Sequence, residues 1–172
     1  MKLLLGCGKR KKKGWLGVDI NAKVEPDIVD DMTKLFSIEP GSVEAIKSQY
    51  SFEHLTYESA IYALKNWFKV LKPGGELSIE LPDLDKCYKM VKSSDLTERK
   101  YGFYGLFGSA ANVYLMHKHA WDFKSLKAEL KKYGFVNIRT GELERINKCK
   151  LLGYDRDIRV ISNKRKKGKK YG

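Results

Sequence analysis

The stretch KLLLGCGKRKKKGWLGVDI, residues 2–20, decides the fold. It begins with a short apolar run, 2–5, that ends at Gly6, and it closes with a second run, 15–20, that contains Asp19. Short apolar runs bounded by glycine are typical of strands buried on both faces of a parallel sheet. We therefore expect two strands joined through a glycine turn and the basic segment Lys9–Lys13.

Further strands alternate with helices along the rest of the chain. Alternating and continuous apolar runs predict strands, whereas apolar residues spaced three or four apart predict helices. Strands followed by crossover helices indicate an α/β fold with a parallel sheet. The predicted strands are 2–5, 15–20, 27–30, 43–50, 76–81, 135–140 and 157–162, the predicted helices are 57–71, 83–91 and 123–133, and residues 94–122 are interpreted as an irregular, aromatic-rich segment.

The first two crossovers are unusually short. Ten residues separate Gly8 from Asp19, and only residues 21–26 join the second strand to the third. A crossover between parallel strands normally takes about a dozen residues or more. We therefore expect the first helix to be missing or reduced to a turn and the second to be shortened, which leaves one sheet face without its cover. Residues 97–121, or a second copy of the chain in a homodimer, are the hypothesised cover.

Length and charge suit one domain with two basic segments. The 172 residues predict a single domain over 1–162, followed by a basic flexible tail, 163–172. The net charge of +13 is concentrated in Lys9–Lys13 and in that tail, so the rest of the chain is nearly neutral. Three interpretations of Lys9–Lys13 stay open: a solvated loop, steering of an anionic group such as a cofactor carboxylate, or an arm for nucleic acid.

Composition also argues against several other classes of protein. No apolar run approaches the roughly 20 residues that span a bilayer, and the leucines of 3–5 are too few for a secretory signal, so we expect a cytoplasmic protein. Cys7, Cys87 and Cys149 are far apart and form no CxxC pair. Neither a disulfide framework nor a structural zinc site is therefore expected.

Polar residues gather at the predicted carboxyl ends of the strands, where open α/β sheets bind their ligands. The two glycines around Cys7 let a ligand approach the backbone without a Cβ clash. Asp19, at the end of the next strand, can accept hydrogen bonds from both hydroxyls of a ribose. A further acid, after the following strand, can accept a hydrogen bond from the amino group of adenine. Together these residues indicate an adenosine pocket. The other polar residues at these ends are Asp30, Asp31, Tyr50, Ser51, Glu53, His54, Asp83 and Asp85.

The order of the motifs resembles that of the class I S-adenosylmethionine-dependent methyltransferases. The resemblance runs from about residue 2 to residue 139. It implies a Rossmann-like methyltransferase sheet, mostly parallel with an antiparallel last strand, and S-adenosylmethionine as cofactor. The motifs that carry it are LLLGCG (3–8), GVDI (17–20), VDDMTKLF (29–36), SVEAIKSQYSFEHL (42–55), LKPGGELSIELPD (71–83) and LKAELKKYGFVNIR (126–139).

The resemblance also implies a role for each cofactor-binding residue. Gly6, Cys7 and Gly8 would pack against the methionine part and the ribose, and Asp19 would bind the ribose hydroxyls. The remaining implied contacts are Ile20, Asp31 and Met32 at the adenine, Ser48 and Tyr50 at the floor near the sulfonium, and His54 as a wall. Leu4 and Lys9 depart from the family pattern, since an acid and a third glycine usually stand there.

The acceptor and the catalytic base follow less directly. The chain resembles most closely a short branch of these enzymes associated with sugar and surface-glycan biosynthesis, so the expected acceptor is a sugar hydroxyl or another small oxygen nucleophile. His117 is the first choice for the general base, because imidazole titrates near neutral pH, and Asp83 is the second, with helix capping as its alternative. His117 and His119 lack a nearby Cys or carboxylate pair in the sequence, so no metal is expected.

Three rival functions remain. The basic segments could recruit a nucleic acid or a protein as the methyl acceptor. The chain could also be a binding module for S-adenosylmethionine that has no acceptor site and no catalysis. A nicotinamide-dependent dehydrogenase is disfavoured, because the third glycine is lacking and Asp19 comes too early.

Overall fold

The computed structural model describes residues 1–111, 113–145 and 148–166, and they build one mixed sheet of seven strands. The strands are β1 (Lys2–Leu5), β2 (Leu16–Asp19), β3 (Ile28–Val29), β4 (Val43–Gln49), β5 (Leu71–Pro82), β6 (Phe135–Gly141) and β7 (Asp157–Lys164). The helices are α1 (Tyr57–Val70), α2 (Leu84–Val91), α3 (Leu96–Phe107), α4 (Phe123–Lys132) and α5 (Lys148–Leu151).

The sheet order is β3-β2-β1-β4-β5-β7-β6. The first five strands are parallel, whereas β7 runs antiparallel to both of its neighbours. Strand order reverses at β1, which pairs with β2 on one side and β4 on the other, so the connections leave in opposite directions there. The predicted Rossmann-like sheet with an antiparallel last strand is confirmed.

One face of the sheet carries the apolar core. Leu5, Ile46 and Ile79 point to this face from adjacent strands and belong to the same buried cluster as the α1 residue Trp67. The indole Nε1 of Trp67 donates to the carbonyl oxygen of Met32 at 2.6 Å, which ties α1 to the β3–β4 connection. Thr56 caps α1, since its Oγ1 accepts from the Ser59 N–H at 3.2 Å.

The opposite face is polar and has no packed helix from the first two crossovers. The residues 6–15 form turns, in which Arg10 N donates to Cys7 O at 3.1 Å and Trp15 N donates to Lys12 O at 3.0 Å. The second crossover holds one short 3-10 turn, Ala22–Val24. The expectation of a missing first helix and a shortened second one is confirmed.

A network of charged side chains covers this polar face. Lys47 and Glu80 project from the sheet and are buried there. Glu144, in the connection between β6 and β7, forms an ion pair with Lys47, and its own N–H donates to Glu80 Oε1 at 2.8 Å. The Lys47 ammonium also lies over the Trp15 ring at 4.6 Å. The cover of this face therefore comes from residues 10–15 and the β6–β7 connection rather than from the hypothesised segment 97–121.

The segment 94–122 is not irregular throughout, because it contains α3. Asp95 caps this helix by accepting from the N–H of Thr97 at 2.7 Å. A Cβ on Gly102 would lie 2.8 Å from the Val91 nitrogen, so α3 approaches the α2 backbone closely. The irregular interpretation was wrong because the buried face of α3 is formed by Gly102 and Gly105 and has no apolar periodicity.

The predicted bounds of β5 and β7 also need correction. β5 starts at Leu71 rather than at residue 76, because Leu71 already pairs with Val43 before a register shift at which the β5 residues 72–75 lie opposite the single β4 residue Glu44. β7 continues through Asn163 to Lys164, whose Nζ donates to the Leu71 carbonyl at 2.7 Å. The predicted tail therefore starts inside a strand, and its residues 167–172 lie outside the described residues.

No helix among the described residues combines the length and the apolar content that crossing a bilayer requires. The longest of them, α1, has 14 residues, against about 20 for a membrane span.

Glu144→Gln tests the polar network. Burial alone raises the pKa of Glu144, but hydrogen bonds from Lys12 and Lys47 outweigh it and hold that pKa at about 2. The variant leaves the buried Lys47 without its anionic partner, so we expect a loss of about 1–3 kcal/mol in the free energy of unfolding at pH 7. Because the folded-state pKa lies below the ordinary value, the difference from the wild type should shrink as the pH falls from about 4.5 towards 2.

Urea denaturation at several pH values measures this difference. Glu142→Gln is the matched control, since Glu142 is exposed and contacts Arg159 through its main-chain carbonyl. We expect less than about 0.5 kcal/mol from the control. Equal losses in both variants would contradict a role for the Glu144 carboxylate.

Candidate active site

The glycine turn after β1 packs directly against the end of β4. Gly6 and Gly8 have φ values of 57° and 54°, which lie in the left-handed region that favours glycine. A Cβ on Gly6 would lie 2.5 Å from Ser51 Cβ. Ser51 Oγ donates to Leu5 O at 3.1 Å and lies 2.8 Å from Ser48 Oγ. The ends of β1 and β4 are therefore held together at the place where strand order reverses.

Asp19 is fixed beside this turn at the end of β2. Its Oδ2 accepts from the Gly8 N–H at 2.8 Å, and its Oδ1 accepts from the Asn21 N–H at 2.9 Å. Ile20 follows and is 65% exposed. The Asp19 carboxylate and the exposed apolar side chain of Ile20 thus lie next to the glycine turn. This is the arrangement that the sequence predicts for binding a ribose and its base.

Residues after β3 complete this edge of the sheet. Asp31 Oδ1 accepts from both the N–H and the Oγ1 of Thr33, at 2.9 and 2.7 Å, so the Asp31 side chain is held by its own turn. Met32 Sδ lies 3.5 Å from the position that a Cβ on Gly6 would occupy. The structure therefore brings Gly6, Met32 and Ser48 together around Ser51, while Asp31 stands on the adjacent turn.

Arg10 is a residue of this site that the sequence analysis did not single out. Its guanidinium donates to the carbonyls of Cys7, Gly6 and Gln49, at 3.0, 2.9 and 3.0 Å respectively. These carbonyls belong to the glycine turn and to the end of β4, so a positive charge sits across the point where strand order reverses. Arg10 is the single arginine among the lysines of the segment Lys9–Lys13. Its residue type was the one sequence feature that could have indicated this role, because arginine is better suited than lysine to several fixed hydrogen bonds.

Two lysines of the same segment also turn towards the protein. Lys11 Nζ donates to Asp27 Oδ1 at 3.0 Å, and Lys12 Nζ donates to Glu144 Oε2 at 2.7 Å. Together with Arg10, these contacts show that the segment lies along the polar face of the sheet. It does not form an extended arm, which weakens the nucleic-acid interpretation.

Tyr50 has a strained backbone and a side chain turned towards β7. Its φ of 54° is unusual for a residue other than glycine, and such strain is found preferentially at functional sites. The hydroxyl donates to Asp157 Oδ2 at 3.1 Å, and burial together with Asp157 raises the pKa of the phenol. Arg145 lies over the ring at 5.0 Å. The predicted place of Tyr50 at the cofactor floor stays a prediction.

Glu53 is a buried carboxylate directly beyond the end of β4. It lies in the 3-10 turn Phe52–His54, its side chain is 3% exposed, and neither carboxylate oxygen has a hydrogen-bond partner among the described residues. Burial raises the pKa of this carboxyl to about 8. An unpaired buried acid is costly, so its position at the carboxyl edge of the sheet points to a functional role.

Two histidines face Glu53. His117 Nε2 lies 4.0 Å from Glu53 Oε1, and the rings of His54 and His117 meet edge to face with 5.0 Å between their centroids. His117 Nδ1 lies 2.8 Å from Gly105 O, and His54 Nδ1 lies 3.0 Å from Met116 O. Burial lowers the pKa of His117 to about 4, so this imidazole is neutral at pH 7. The group of Glu53, His54 and His117 is named the acid–histidine cluster below.

Asp83 caps α2, as the alternative to its catalytic role predicts. Its Oδ1 accepts from the Lys86 N–H at 2.9 Å, and burial raises the pKa of its carboxyl. Its own N–H donates to Arg156 O at 3.0 Å, and its backbone pairs with Trp121. Asp83 as the second choice for the base stays a prediction.

Comparisons with known proteins bear on the whole arrangement. The sequence matches no family model and no curated protein. A SAM-dependent methyltransferase from Archaeoglobus fulgidus superposes with a TM-score of 0.67 at 19% identity, over 95% of this chain and 85% of that one. A SAM-dependent methyltransferase from Methanosarcina mazei gives 0.66 at 20% identity, over 96% of this chain and 92% of that one. The fold is that of the class I methyltransferases.

The same fold is shared with a larger enzyme solved with a bound ligand. Phosphoethanolamine N-methyltransferase 2 from Haemonchus contortus, in complex with phosphomonomethylethanolamine and S-adenosylhomocysteine, superposes with a TM-score of 0.61 at 12% identity. The match covers 96% of this chain and 48% of that one. The methyltransferase fold therefore accounts for nearly all of the chain described here.

A pair of glycine variants tests the glycine turn. Alanine at either position strains a left-handed backbone by about 1–2 kcal/mol. Gly8→Ala meets no atom within 4 Å, whereas Gly6→Ala drives its Cβ into Ser51. We therefore expect Gly6→Ala to reduce the free energy of unfolding by about 1–3 kcal/mol more than Gly8→Ala does. Urea denaturation measures both, and equal losses would show that Ser51 is not held against Gly6.

Proposed function

We propose that this protein is an S-adenosylmethionine-dependent methyltransferase that acts on a small oxygen nucleophile, with a sugar or glycan hydroxyl as the favoured acceptor. The observation that carries the proposal is Asp19 bonded to the Gly8 N–H at the end of β2, beside a glycine turn that has open space at Gly8. The likeness of the fold to SAM-dependent methyltransferases supports it.

The residues around the turn fit the parts of this cofactor. Gly6 and Gly8 let the ligand approach the backbone, and Asp19 offers carboxylate oxygens to the two ribose hydroxyls. Ile20, Met32 and Asp31 provide apolar contact and an acceptor for adenine. Ser48 and Tyr50 follow at the end of β4, and the proposed wall of the site is His54. When bound, the cofactor supplies a methyl group on a sulfonium, which is already a good leaving group.

Arg10 is proposed to hold the carboxylate of the cofactor's methionine part. In related sheets an anion usually binds at the N-terminus of the helix that follows the glycine turn. Here that helix is missing, and the Arg10 guanidinium lies across the carbonyls of Gly6 and Gln49 instead. A fixed positive charge thereby replaces the missing helix dipole. This is the steering interpretation of the basic segment, with Arg10 as the residue concerned.

Calorimetry with two ligands tests both the cofactor and Arg10. Wild-type protein should bind S-adenosylhomocysteine but not NAD. Arg10→Gln should weaken that binding about 10–100-fold, since a hydrogen bond to a charged group contributes about 1.5–3 kcal/mol. Methylthioadenosine, which lacks the amino-acid part, should bind the variant and the wild type within about threefold of each other.

Lys13→Gln is the control for charge alone, because Lys13 belongs to the same segment and is exposed. A loss of methylthioadenosine binding in Arg10→Gln would assign Arg10 to the shape of the turn rather than to the carboxylate. No binding of S-adenosylhomocysteine to wild-type protein would overturn the proposed function.

The acid–histidine cluster is proposed to mark the acceptor end of the site. Methyl transfer from a sulfonium is an in-line displacement, so the enzyme mainly aligns the acceptor and excludes water. A hydroxyl acceptor must also lose a proton. His117 is our first choice to receive it, because its Nε2 faces Glu53 while its Nδ1 is held by Gly105 O.

Aromatic side chains around this cluster suit the face of a sugar ring. Phe107, at the end of α3, is 65% exposed and stacks on Phe103 with 6.5 Å between the ring centroids. The carbonyl oxygen of Phe107 accepts a hydrogen bond from the main-chain N–H of His117. Met116, whose carbonyl faces His54, is also exposed. These side chains form the proposed acceptor wall.

A methyl-transfer screen with labelled S-adenosylmethionine tests the acceptor. We expect transfer to sugars or glycans and none to RNA or protein. Phe107→Ala should raise KM for the acceptor about tenfold with little change in kcat, because the wall binds the acceptor without touching the transferred methyl. Tyr62→Ala is the control, since Tyr62 is an exposed aromatic residue on α1.

Transfer only to RNA or protein would contradict the proposed sugar or glycan acceptor, but it would leave the proposed methyltransferase activity standing. Cofactor binding without transfer to any acceptor class would favour the binding module instead.

A further inference from the structure

We infer that Glu53, His54 and His117 form a binding site for a divalent transition-metal ion such as Zn²⁺, Co²⁺ or Mn²⁺. One carboxylate oxygen and one nitrogen from each histidine lie within 4.8 Å of one another. Two imidazoles and a carboxylate are a donor set that these metals prefer. The inference goes beyond the proposed function, which needs no metal.

The hydrogen bonds of the two histidines leave the Nε2 atom of each ring available. A carbonyl oxygen can only accept, so the contacts with Met116 O and Gly105 O require a proton on Nδ1 of both His54 and His117. Each Nε2 then carries a lone pair. A metal-binding histidine typically donates its other N–H to a carbonyl or carboxylate, which fixes the ring and its tautomer. Both rings of the cluster are already prepared in this way.

Glu53 supplies the charge that a cation needs. Its carboxylate is buried, and both oxygens lack a hydrogen-bond partner among the described residues. Burial without a partner strongly destabilises the ionised form of a carboxyl group. Coordination to a cation removes that penalty. The site would combine one negative charge with two neutral imidazoles, so a divalent ion leaves a net charge of about +1 for an anionic or hydroxyl ligand.

The backbone holds the three donors from two sides. Glu53 and His54 lie in the turn after β4, and the Lys118 N–H donates to Glu53 O at 2.9 Å, which ties the His117 segment to that turn. Gly108 has a φ of 69°, and a Cβ there would lie 2.7 Å from the ring of His117. Glycine is therefore required at the end of α3 to seat this histidine.

The spacing suits an ion after a small contraction. Ligands about 2.0–2.2 Å from a tetrahedral metal are about 3.3–3.6 Å apart, and Glu53 Oε1 is now 4.0 Å from His117 Nε2. The three donor atoms lie within 4.8 Å of one another, so side-chain movements on the order of 1 Å bring all of them to coordination distance. Three protein ligands leave at least one position open, as in catalytic rather than structural metal sites.

A role for the metal in transfer rests on the proposed function. An acceptor hydroxyl bound at the open position would have a lowered pKa and would lose its proton to solvent water. The oxygen then forms a bond to the methyl carbon as the carbon–sulfur bond breaks, and that bonding pair stays on sulfur. In this arrangement His117 holds the ion, and the ion takes over the task that was assigned to His117 as the base.

Cobalt titration tests the site. Tag-free protein is stripped with a chelator, dialysed and titrated with Co²⁺, with visible absorption and calorimetry as readouts. We expect one equivalent to bind with the d–d absorption of a four- or five-coordinate ion. Glu53→Gln, His54→Ala and His117→Ala should each weaken binding at least tenfold. His119→Ala is the matched control, since His119 is a neighbouring histidine that packs on Trp121 and lies outside the cluster.

Thermal unfolding separates metal loss from misfolding. Glu53→Gln keeps the shape of the side chain and removes a buried carboxyl that has no hydrogen-bond partner among the described residues, so the variant should melt no lower than the metal-free wild type. Co²⁺ should raise the melting temperature of the wild type and of His119→Ala, and it should leave that of Glu53→Gln unchanged. Absence of Co²⁺ binding to the wild type, or cluster variants that all bind Co²⁺ as tightly as the wild type does, would overturn the site.

Cofactor binding is scored separately on the same samples. S-adenosylhomocysteine binding that survives without any metal binding would overturn the metal site and leave the proposed function standing. Metal binding without S-adenosylhomocysteine binding would support the proposed metal site and overturn the proposed methyltransferase function.

Discussion

The length of the first crossover is the constraint on which the rest of this structure depends. Ten residues lie between Gly8 and Asp19, which is too few for a helix that must run back along the sheet. The sheet therefore has a face that no helix from this crossover can cover. An apolar face left in that state would be a site of aggregation. In this protein the face carries Lys47 and Glu80, and their charges are satisfied by Glu144 and its neighbours.

The same constraint shapes the proposed cofactor site. A glycine turn normally continues into a helix whose N-terminus attracts anions. Here the chain turns back at once, and Arg10 places its guanidinium over the carbonyls of the turn. The basic segment thus has two local tasks, since Arg10 lies in the site while Lys12 joins the polar network through Glu144. Its charge does not need a nucleic-acid partner to explain it.

The proposed acceptor end depends on a different feature, the helix α3, whose buried face consists of glycines. Gly102 and Gly105 let α3 approach α2, and Gly108 gives His117 room to reach Glu53. Glu53 itself is buried without a partner among the described residues. Close backbone packing and an unsatisfied carboxylate both reduce stability on their own. Their occurrence together at the carboxyl edge of the sheet is what favours the proposed site over a tolerated defect.

Local patterns were sufficient for much of the fold. The apolar run before Gly6, the amphipathic spacing of α1 and the short crossovers predicted the strands, the main helices and the missing one, because these features depend on neighbouring residues. Glycine and Asp19 at successive strand ends predicted for the same reason that these residues meet, since the carboxyl ends of parallel strands lie at one edge.

Contacts between distant segments were decided by the tertiary structure alone. Lys47 and Glu144 are far apart in sequence, so no pattern could pair them. α3 was missed because its buried face is made of glycines, which carry no hydrophobic signal. Arg10 was hidden in a charged run, and the acid–histidine cluster joins a turn after β4 to a segment before α4. The sequence by itself determined the sheet and the edge at which the cofactor is proposed to bind. Which side chains meet at that edge was decided only by folding, because burial and hydrogen bonding between remote segments select the partners.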